Sequence, residues 1–566
     1  MTPLDPFAPR THIAYFSMEI AIRPEMHTYS GGLGVLAGDT ARSCADLTLR
    51  VVFVTLVNRA GYFRQQIDEH GRQVEEPDWW EPEKFCTPLD AMIAVEIEGR
   101  AVWIRPWLYV HTCPHGHEIP LLLLDTDLDQ NGKEDRTLTH YLYGGDEAYR
   151  LKQEIVLGVG GFRLLPALGF DIHTYHLNEG HAAFLTLELL NRYRVPAEDL
   201  EPGEPVYDIA PVRERCVFTT HTPVEAGHDK FSYDLFQRLL PDFVVLDELK
   251  RLAGHDKLNM TRLALNLSSY VNGVAERHAE TTGHMFPGYQ IHAITNGVHV
   301  GTWTHVAFAN LYQKKFPHWQ HEPEILVRAM QLDDDEVWQC HQAAKADLIS
   351  RVKQIAGVSL DPGTLIIGFA RRMTGYKRPL LLFSDLNRLT AIAARYPFQV
   401  VMAGKAHPND NEGKQEIERL HLLAQQLEGK LTCVFLPGYD MELAKTLVAG
   451  TDVWLNTPLP PLEASGTSGM KAALNGVLNL STLDGWWLEA CLDNVNGWAI
   501  GVDGDGGSDG HHAEILYEKL TAAVLPLYYD QPARWRWMMK QAIGNIAYYF
   551  NSQRMMRRYA AEAYLR

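Results

Sequence analysis

The chain has 566 residues, 46% of them hydrophobic and 22% charged, and its formal net charge is −18. Such a composition is that of an ordinary globular protein with room for two large domains, and the acidic balance disfavours nucleic-acid binding. The seven cysteines are scattered without a CxxC pair, which favours a reducing compartment and argues against a disulfide framework or a zinc ribbon. We recognise neither a signal peptide nor an apolar run long enough to span a bilayer, so we expect a cytoplasmic protein and no metal site.

The first elements form a strand, a glycine turn, a helix and a second strand. Residues 11–17 and 51–57 are near-continuous apolar strands, and residues 35–46 between them are typical of a helix. This order predicts a βαβ unit in a parallel sheet. Gly31 and Gly32 precede the helix, where exposed amides offer an anion site, although a glycine turn needed only for packing would give the same pattern.

Polar residues follow several strands in the next part of the chain. The predicted elements are an irregular β-rich segment (60–130), a long helix (147–168) and strands at 172–177, 216–220 and 290–295. Glu179 and His181 follow the first of these strands, His221 follows the second, and Asn296 follows the third. Open α/β sheets bind ligands beyond the carboxyl ends of their strands, so these residues are candidates for a site.

A second alternating series begins after a junction that we place near residues 298–335. Its predicted elements are an irregular aromatic stretch (303–324), a helix (333–355), strands at 365–370, 398–404, 431–436 and 453–456, and a final helix (535–566). The sequence therefore predicts an α/β protein with two Rossmann-like domains, residues 1–300 and 301–566, that face a central cleft. The final helix is expected to cross back onto the first domain.

The stretch from Glu463 to Lys471, Glu-Ala-Ser-Gly-Thr-Ser-Gly-Met-Lys, carries the most distinctive chemistry. It follows a proline-rich loop and leads into a helix, so its amides and the helix dipole suit a phosphate group. In the first helical turn the dipole disfavours the charged form of Lys471, and a neutral amine can form a Schiff base with an aldehyde cofactor. Taken alone, the string favours the simpler interpretation, a capped helix with a surface lysine.

A cluster of four cations, Arg371, Arg372, Lys377 and Arg378, follows the strand at 365–370. Cations at the carboxyl end of a strand suit oxyanion binding. The alternative is a solvated helix start, which the acidic balance of the whole chain makes less attractive.

The string that ends at Lys471, continued by Leu474-Asn-Gly and Thr482-Leu-Asp-Gly, resembles the cofactor-lysine motif of the glycogen (α-glucan) phosphorylases, in their shorter prokaryotic branch. The resemblance implies a GT-B glycosyltransferase fold and pyridoxal 5'-phosphate on Lys471, with the cofactor phosphate as proton relay. It also implies retaining transfer of a terminal glucosyl unit from an α-1,4-glucan (glycogen, starch or maltodextrin) to inorganic phosphate, giving glucose 1-phosphate.

The same resemblance assigns roles to individual residues. Catalytic roles fall on Lys471, Arg372, Lys377 and His221. Cofactor contacts fall on Lys471, Thr467, Ser468, Arg371, Lys377, Tyr439 and Trp303. Substrate contacts fall on Gly31, Gly32, His181, Asn296, Glu463, Ser465 and Gly466. This chain departs from the family at four positions, with Arg371 for a lysine, Ser468 for a glycine, Gly469 for an asparagine and Ala21 for a tyrosine, and the changed pair leaves the path of the cofactor loop open.

Three other functions remain as alternatives. A nucleotide-sugar glucosyltransferase of glycogen-synthase type would share the architecture, although the Lys471 motif argues against it. A glycoside hydrolase would need two carboxylates across the scissile bond, and the sequence shows no convincing pair. A glucan-binding relative without catalysis would fit the altered Ser468 and Gly469. Among partners we expect glucan and phosphate, no nucleic acid and no membrane, and a homo-oligomer stays open.

Overall fold

Two large β-sheets organise the chain, and the computed structural model describes residues 3–201, 204–504 and 506–565. The strands are β1 Ile13–Ser17, β2 Val51–Leu56, β3 Arg64–Ile67, β4 Gln73–Glu76, β5 Thr87–Pro88, β6 Ile93–Ile97, β7 Arg100–Thr112, β8 Glu118–Asp125, β9 Thr174–Asn178, β10 Cys216–Thr219, β11 Lys230–Phe231, β12 Leu258–Asn259, β13 Tyr270–Gly273, β14 His292–Ala293, β15 Leu365–Ala370, β16 Phe398–Ala403, β17 Thr432–Leu436, β18 Val453–Asn456, β19 Leu478–Thr482 and β20 Gly497–Ile500.

Helices cover both sheets. They are α1 Gly32–Asp46, α2 Lys133–Arg136, α3 Glu147–Ile155, α4 Gly161–Ala167, α5 Leu185–Arg192, α6 Ala210–Glu214, α7 Tyr233–Leu239, α8 Leu246–Ala253, α9 Met260–Asn266, α10 Glu276–Met285, α11 Val300–Trp303, α12 Val306–Lys315, α13 Asp334–Ala356, α14 Leu386–Arg395, α15 Asn411–Gln426, α16 Met441–Gly450, α17 Ser468–Ala473, α18 Trp487–Ala490, α19 Asp509–Lys519, α20 Leu525–Asp530, α21 Pro532–Ala542 and α22 Ser552–Tyr559. In the described residues no helix combines the length and the apolar character of a membrane span.

The first sheet has the strand order β14-β13-β10-β9-β1-β2-β8-β7-β5, with β6 paired to β7. From β14 to β8 neighbouring strands are parallel, and β7, β5 and β6 add an antiparallel edge. β1 and β2 are buried almost throughout, as their continuous apolar runs require of strands covered on both faces. The sheet grows from β1 to both sides, so the loops after β1 and β9 flank the point where the strand order reverses.

The second sheet is parallel throughout, in the order β17-β16-β15-β18-β19-β20. Here the switch lies between β15 and β18, where the chain returns to the centre of the sheet. Ligands bind at such points in doubly wound α/β folds. The expected α/β class with two Rossmann-like sheets facing a cleft is confirmed.

The β3–β4 hairpin of the first half contacts the second half directly. Gln65 Nε2 donates to the carbonyl of Gly404 at 2.8 Å, and its Oε1 accepts from the amide of Gly438 at 3.0 Å. Gln73 exchanges two hydrogen bonds with the backbone of Ala406, at 2.9 and 3.0 Å. These buried amides hold the two halves together across one side of the cleft.

Two expectations about helices were wrong. The stretch 303–324 is not irregular, because α12 lies within it: His305 caps its first turn, and Phe308 and Tyr312 are buried in the core. The final segment is not one helix. Residues 548–551 are not helical, and Asn551 caps the first turn of a new helix, α22.

α22 packs against α1, with the hydroxyls of Ser552 and Ser43 2.6 Å apart. The Tyr559 hydroxyl also accepts a 3.0 Å hydrogen bond from Asn272 Nδ2, on β13 of the first sheet. The division of the chain into domains 1–300 and 301–566 stays a prediction, and its boundary coincides with the start of α11.

Candidate active site

Loops from both sheets meet in the cleft, and Arg372 marks the point of contact. Its guanidinium follows β15 and lies among Tyr62, Tyr143 and Glu19 of the first half. Burial works against its charge, but the electrostatic effect of Tyr62 and the other neighbours outweighs burial and raises the pKa of Arg372. A cation kept charged in a buried cleft is suited to hold an anion.

The loop before α1 is shaped by one carboxylate. Glu19 Oε2 accepts from the amides of Ser30 and Gly31 at 2.6 and 3.2 Å, and Oε1 accepts from the Tyr143 hydroxyl at 2.9 Å. A Cβ added at Gly31 or Gly32 would meet nothing within 4 Å, so both glycines open onto free space at the start of α1. This is the arrangement that an anion at a helix N-terminus requires.

Behind them, the loops after β9 and β10 hold His221 in place. Its Nε2 donates to Asn178 Oδ1 at 2.6 Å, and its backbone amide donates to Glu179 Oε2 at 2.8 Å. Glu179 has a φ of 73°, a left-handed conformation uncommon outside glycine, so its position is strongly constrained. Burial lowers the pKa of His221 to about 3, which keeps the ring neutral and leaves Nδ1 as an acceptor.

His181 and Asn296 also lie buried at these strand ends. The Nε2 atom of His181 is 3.4 Å from Asp229, and its Nδ1 has no hydrogen-bond partner among the residues that the structure describes. Burial lowers the pKa of His181 to about 4. Asn296 is 4% exposed, and its Oδ1 likewise has no partner in the described ranges of the chain. Unsatisfied buried polar atoms are costly, so a polar ligand would supply what both side chains lack.

On the opposite wall, Glu463 lies between two of the predicted cations. Its Oε2 accepts from Arg371 Nη2 at 2.8 Å and from Lys377 Nζ. Burial alone would raise the pKa of Glu463, but the charges of Lys377 and Arg371 outweigh it and hold this pKa below its usual value. Within the described part of the chain, Arg371 keeps two buried donors, Nε and Nη1, without partners, so its capacity for an oxyanion is only partly used.

Lys471 is 7% exposed, on α17, with Nζ 3.9 Å from the centre of the Trp303 ring. The Trp303 indole donates to Asp39 Oδ2 at 2.8 Å, which fixes the ring. Burial lowers the pKa of Lys471 to about 8. The sequence also predicted a lowered pKa for Lys471, but the main cause is desolvation on burial rather than the helix dipole.

The neighbours of Ser468 and Gly469 account for the two departures from the family pattern just before Lys471. Ser468 Oγ accepts from the Trp454 indole at 2.9 Å, a contact that the family's glycine would lack. A Cβ at Gly469 would lie 2.3 Å from Asn479 Oδ1 and 2.6 Å from Trp486, so no side chain fits there without rearrangement. The loop path is therefore set by neighbours on β19 and α18.

The other predicted loop residues border the same region. Ser465 is 3% exposed, and its Oγ has no hydrogen-bond partner in the part of the chain that the structure describes. Gly466 has a φ of +81°. Thr467 occupies the N-cap of α17. Tyr439 lies beside Arg371, and burial raises its pKa, so its hydroxyl stays protonated.

Sequence reasoning missed several residues of the cleft. Asp39 accepts from Trp303 and pairs with Arg42 at 3.2 Å, and its charge acts on Lys471. Asp484 accepts from the amide of Glu463 at 2.8 Å, and burial raises its pKa to about 7. Tyr62 and Tyr143 surround Arg372. The sequence did contain a signal for Asp39. It is an acidic residue about two turns after Gly32 in a helix whose neighbouring residues are mostly small or apolar, and such a charge is unexpected in a helix that serves packing alone.

A family profile described as carbohydrate phosphorylase matches residues 167–496, more than half of the chain. The chain belongs to the carbohydrate phosphorylase family. The maltodextrin phosphorylase of Thermococcus litoralis is 38% identical, over 98% of this chain and 70% of its own length. The glycogen phosphorylases of Mycobacterium tuberculosis and Aquifex aeolicus are 36% and 35% identical over 98% of the chain, which corresponds to 71% and 86% of their lengths. The resemblance seen in the sequence is thereby confirmed, and the cleft belongs to a carbohydrate phosphorylase.

Proposed function

We propose that this carbohydrate phosphorylase is an α-1,4-glucan phosphorylase that moves a terminal glucosyl unit to inorganic phosphate with retention. The observation that carries the proposal is the buried Lys471 amine against Trp303, on the same side of the cleft as the unpaired donors of Arg371. The relatives named maltodextrin and glycogen phosphorylase support the choice of an α-glucan.

The residues around Lys471 fit pyridoxal 5'-phosphate. Nζ makes no hydrogen bond among the described residues, so it is available for a covalent link, and Trp303 offers a flat neighbour for the ring. The two unpaired donors of Arg371, with the amides of Thr467 and Ser468 at the start of α17, suit the phosphate of the group. When bound, that phosphate supplies the acid–base group for the reaction.

The protein itself binds and orients the reactants. The glycine turn at Gly31 and Gly32, with Arg372 and Lys377, holds the substrate phosphate; because the Gly31 amide already donates to Glu19, the amide of Gly32 is the one offered to the anion. Neutral His221 accepts a hydrogen bond from a sugar hydroxyl at Nδ1, while Asn296 Oδ1 and Ser465 Oγ gain the partners they lack. The glycosidic bond between C1 and the leaving oxygen breaks, a C1–O bond to phosphate forms, and the phosphate proton ends on the leaving oxygen.

One carboxylate, Glu463, faces the two cations Arg371 and Lys377, so a bound anion would complete the charge balance of the cleft. Glu463 shields Arg371 and Lys377 until a ligand enters, and its carboxylate is then free to turn towards glucose hydroxyls. We infer that domains 1–300 and 301–566 each supply part of the site, with Gly31, Gly32 and His221 on one side. The free cysteines support a reducing, cytoplasmic location.

An assay with maltodextrin and inorganic phosphate tests the proposal. Glucose 1-phosphate should form only when phosphate and the cofactor are both present, and borohydride should fix the cofactor to the peptide that contains Lys471. Formation of free glucose without phosphate, or transfer from a nucleotide sugar instead, would favour one of the alternatives.

A further inference from the structure

Three side chains with metal-binding donor atoms meet at the amino edge of the first sheet. His12 lies just before β1, and Asp171 and His173 lie just before β9, which pairs with β1. One ring nitrogen or carboxylate oxygen from each residue lies within 4.8 Å of those of the other two. We expected no metal site from the sequence, where 159 residues separate His12 from Asp171.

The backbone holds the two segments at a fixed spacing. The His12 carbonyl accepts from the amides of His173 and Thr174 at 2.9 and 3.0 Å. Directly after it, Ile13 is in register with Thr174 in the parallel pair of β1 and β9. Donor groups on adjacent hydrogen-bonded strands are placed more precisely than donors on free loops, so only the side-chain torsions remain to be set.

A hydrogen bond sets the tautomer of His12. Its Nδ1 lies 2.8 Å from the backbone carbonyl oxygen of Asp171. A carbonyl oxygen only accepts, so Nδ1 carries the proton, and Nε2 of the neutral ring keeps a lone pair. Metal-bound imidazoles make such an outer hydrogen bond to a carbonyl or a carboxylate, which fixes the ring and raises the basicity of the ligating nitrogen.

The other two residues already have the spacing of ligands to one ion. His173 Nε2 lies 3.2 Å from Asp171 Oδ2. Two donors on one tetrahedral zinc ion are about 3.4 Å apart, given bond lengths of about 2.0–2.2 Å. The rings of His12 and His173 are stacked with their centres 4.6 Å apart. All three side chains are exposed, so a small rotation of His12 brings the third donor to the same ion.

The chemistry of the donors selects the class of ion. Two imidazoles and one carboxylate suit a borderline transition cation such as Zn²⁺, whereas Mg²⁺ and Ca²⁺ prefer oxygen ligands alone. The net charge of −18 attracts cations to the protein in general. The guanidinium of Arg215, a nearby cation, is bound to the Tyr193 hydroxyl at 3.0 Å and to the Ile172 carbonyl at 3.4 Å.

We propose that His12, Asp171 and His173 bind a divalent transition cation of the zinc class, with water in the fourth position, and that this ion ties the start of β1 to the start of β9. The carboxyl ends of the same strands, where Asn178 Nδ2 donates to Ser17 Oγ at 3.0 Å, border the cleft. Five residues of strand place the ion about 16 Å from that end. The site therefore stabilises the sheet and takes no part in turnover, and it does not rest on the proposed function.

Zinc titrated calorimetrically into the intact, cofactor-loaded protein, after treatment with a chelator, tests the site. His12→Gln and His173→Gln should each weaken one binding event at least about tenfold, since even an outer-shell partner contributes 10- to 100-fold. His70→Gln is the matched control. His70 is exposed and has Glu69 3.6 Å from its Nε2, but it belongs to no group of three such donors in the described chain, so this variant should bind zinc as wild type does.

Hydrogen exchange tests the tie between the strands. The amides of His173 and Thr174 are bonded to the His12 carbonyl, so an opening that frees them also separates the ligands. At a zinc concentration of 100 times Kd, their exchange should slow by up to about 100-fold in wild type and in His70→Gln. In His12→Gln and His173→Gln at the same zinc concentration, the slowing should be at least about tenfold smaller.

The outcomes separate this site from other zinc binding and from the proposed function. Equal zinc affinity in wild type, His12→Gln and His173→Gln would overturn the site, as would zinc binding that is abolished by alkylation of the free cysteines. Zinc binding that depends on both histidines but leaves the exchange unchanged would overturn the tie between β1 and β9. Zinc binding that depends on both histidines, in a protein without phosphorolysis, would support the site and refute the proposed function.

Discussion

Covalent attachment of pyridoxal phosphate should depend on pH in the way that the buried amine of Lys471 dictates. Burial lowers the pKa of this amine from 10.5 to about 8. At pH 7 about one tenth of the amine is then neutral, compared with about 0.03% of an ordinary lysine. Lys471 should therefore react about 300 times faster at pH 7 than an exposed lysine of equal nucleophilicity.

The assay uses cofactor-free protein, a pH series from about 6 to 10, and borohydride to fix the attached cofactor before digestion. Attachment to the Lys471 peptide should rise about tenfold for each pH unit below 8 and level off above it. Exposed lysines in the same digest provide the control, because their labelling should go on rising above pH 9. A profile for Lys471 that still rises above pH 9 would refute the reasoning.

The same pKa makes a prediction about stability. The folded pKa lies below the unfolded one, so the folded state is penalised wherever the amine is charged in both states, which is below pH 8. The difference between 10.5 and about 8 corresponds to about 3 kcal/mol, and this penalty disappears as the pH rises from 8 through 10.5. Cofactor-free Lys471→Met should thus exceed wild type in unfolding free energy at pH 7, and the difference should shrink towards pH 10. Equal stability differences at both pH values would count against a buried, charged Lys471.

Three further changes test the remaining parts of the cleft. Arg372→Gln should raise KM for phosphate about 10- to 100-fold with little change in melting temperature, because a charge-assisted contact is lost; an unchanged phosphate dependence would show that Arg372 does not bind the anion. Gly469→Asn should destabilise the protein by about 1–3 kcal/mol through its clash with Asn479, whereas Gly283→Asn, with open space around it, should not. Asp39→Asn removes the charge near Lys471 and should move the midpoint of cofactor attachment to lower pH; a midpoint that stays in place would mean that Asp39 only orients the Trp303 ring.

The sequence alone predicted most of the central strands around the cleft, although it did not predict β13, β19 or β20. β1, β2, β15 and β16 are apolar along most of their length, and such runs have few alternatives to buried parallel strands. The string before Lys471 was equally informative, because a proline-rich loop, small residues and a helix start are local features. Helix continuity was less predictable: the break before α22 depends on the capping of its first turn by Asn551 and on what the helix packs against.

Tertiary structure alone decided which side chains meet. Glu463 pairs with Arg371 and Lys377 across about 90 residues of sequence, and Arg372 meets Tyr62 and Glu19 from the other half, so no local pattern announces either contact. The lowered pKa of Lys471 was expected from a helix dipole but arises mainly from burial, which depends on the whole fold. Gly469 shows the same limit, since its lack of a side chain is explained only by Asn479 and Trp486 packed against it. Strand periodicity and loop chemistry are local properties of the chain, whereas desolvation and charge pairing are set by segments distant in sequence that become neighbours only in the folded protein.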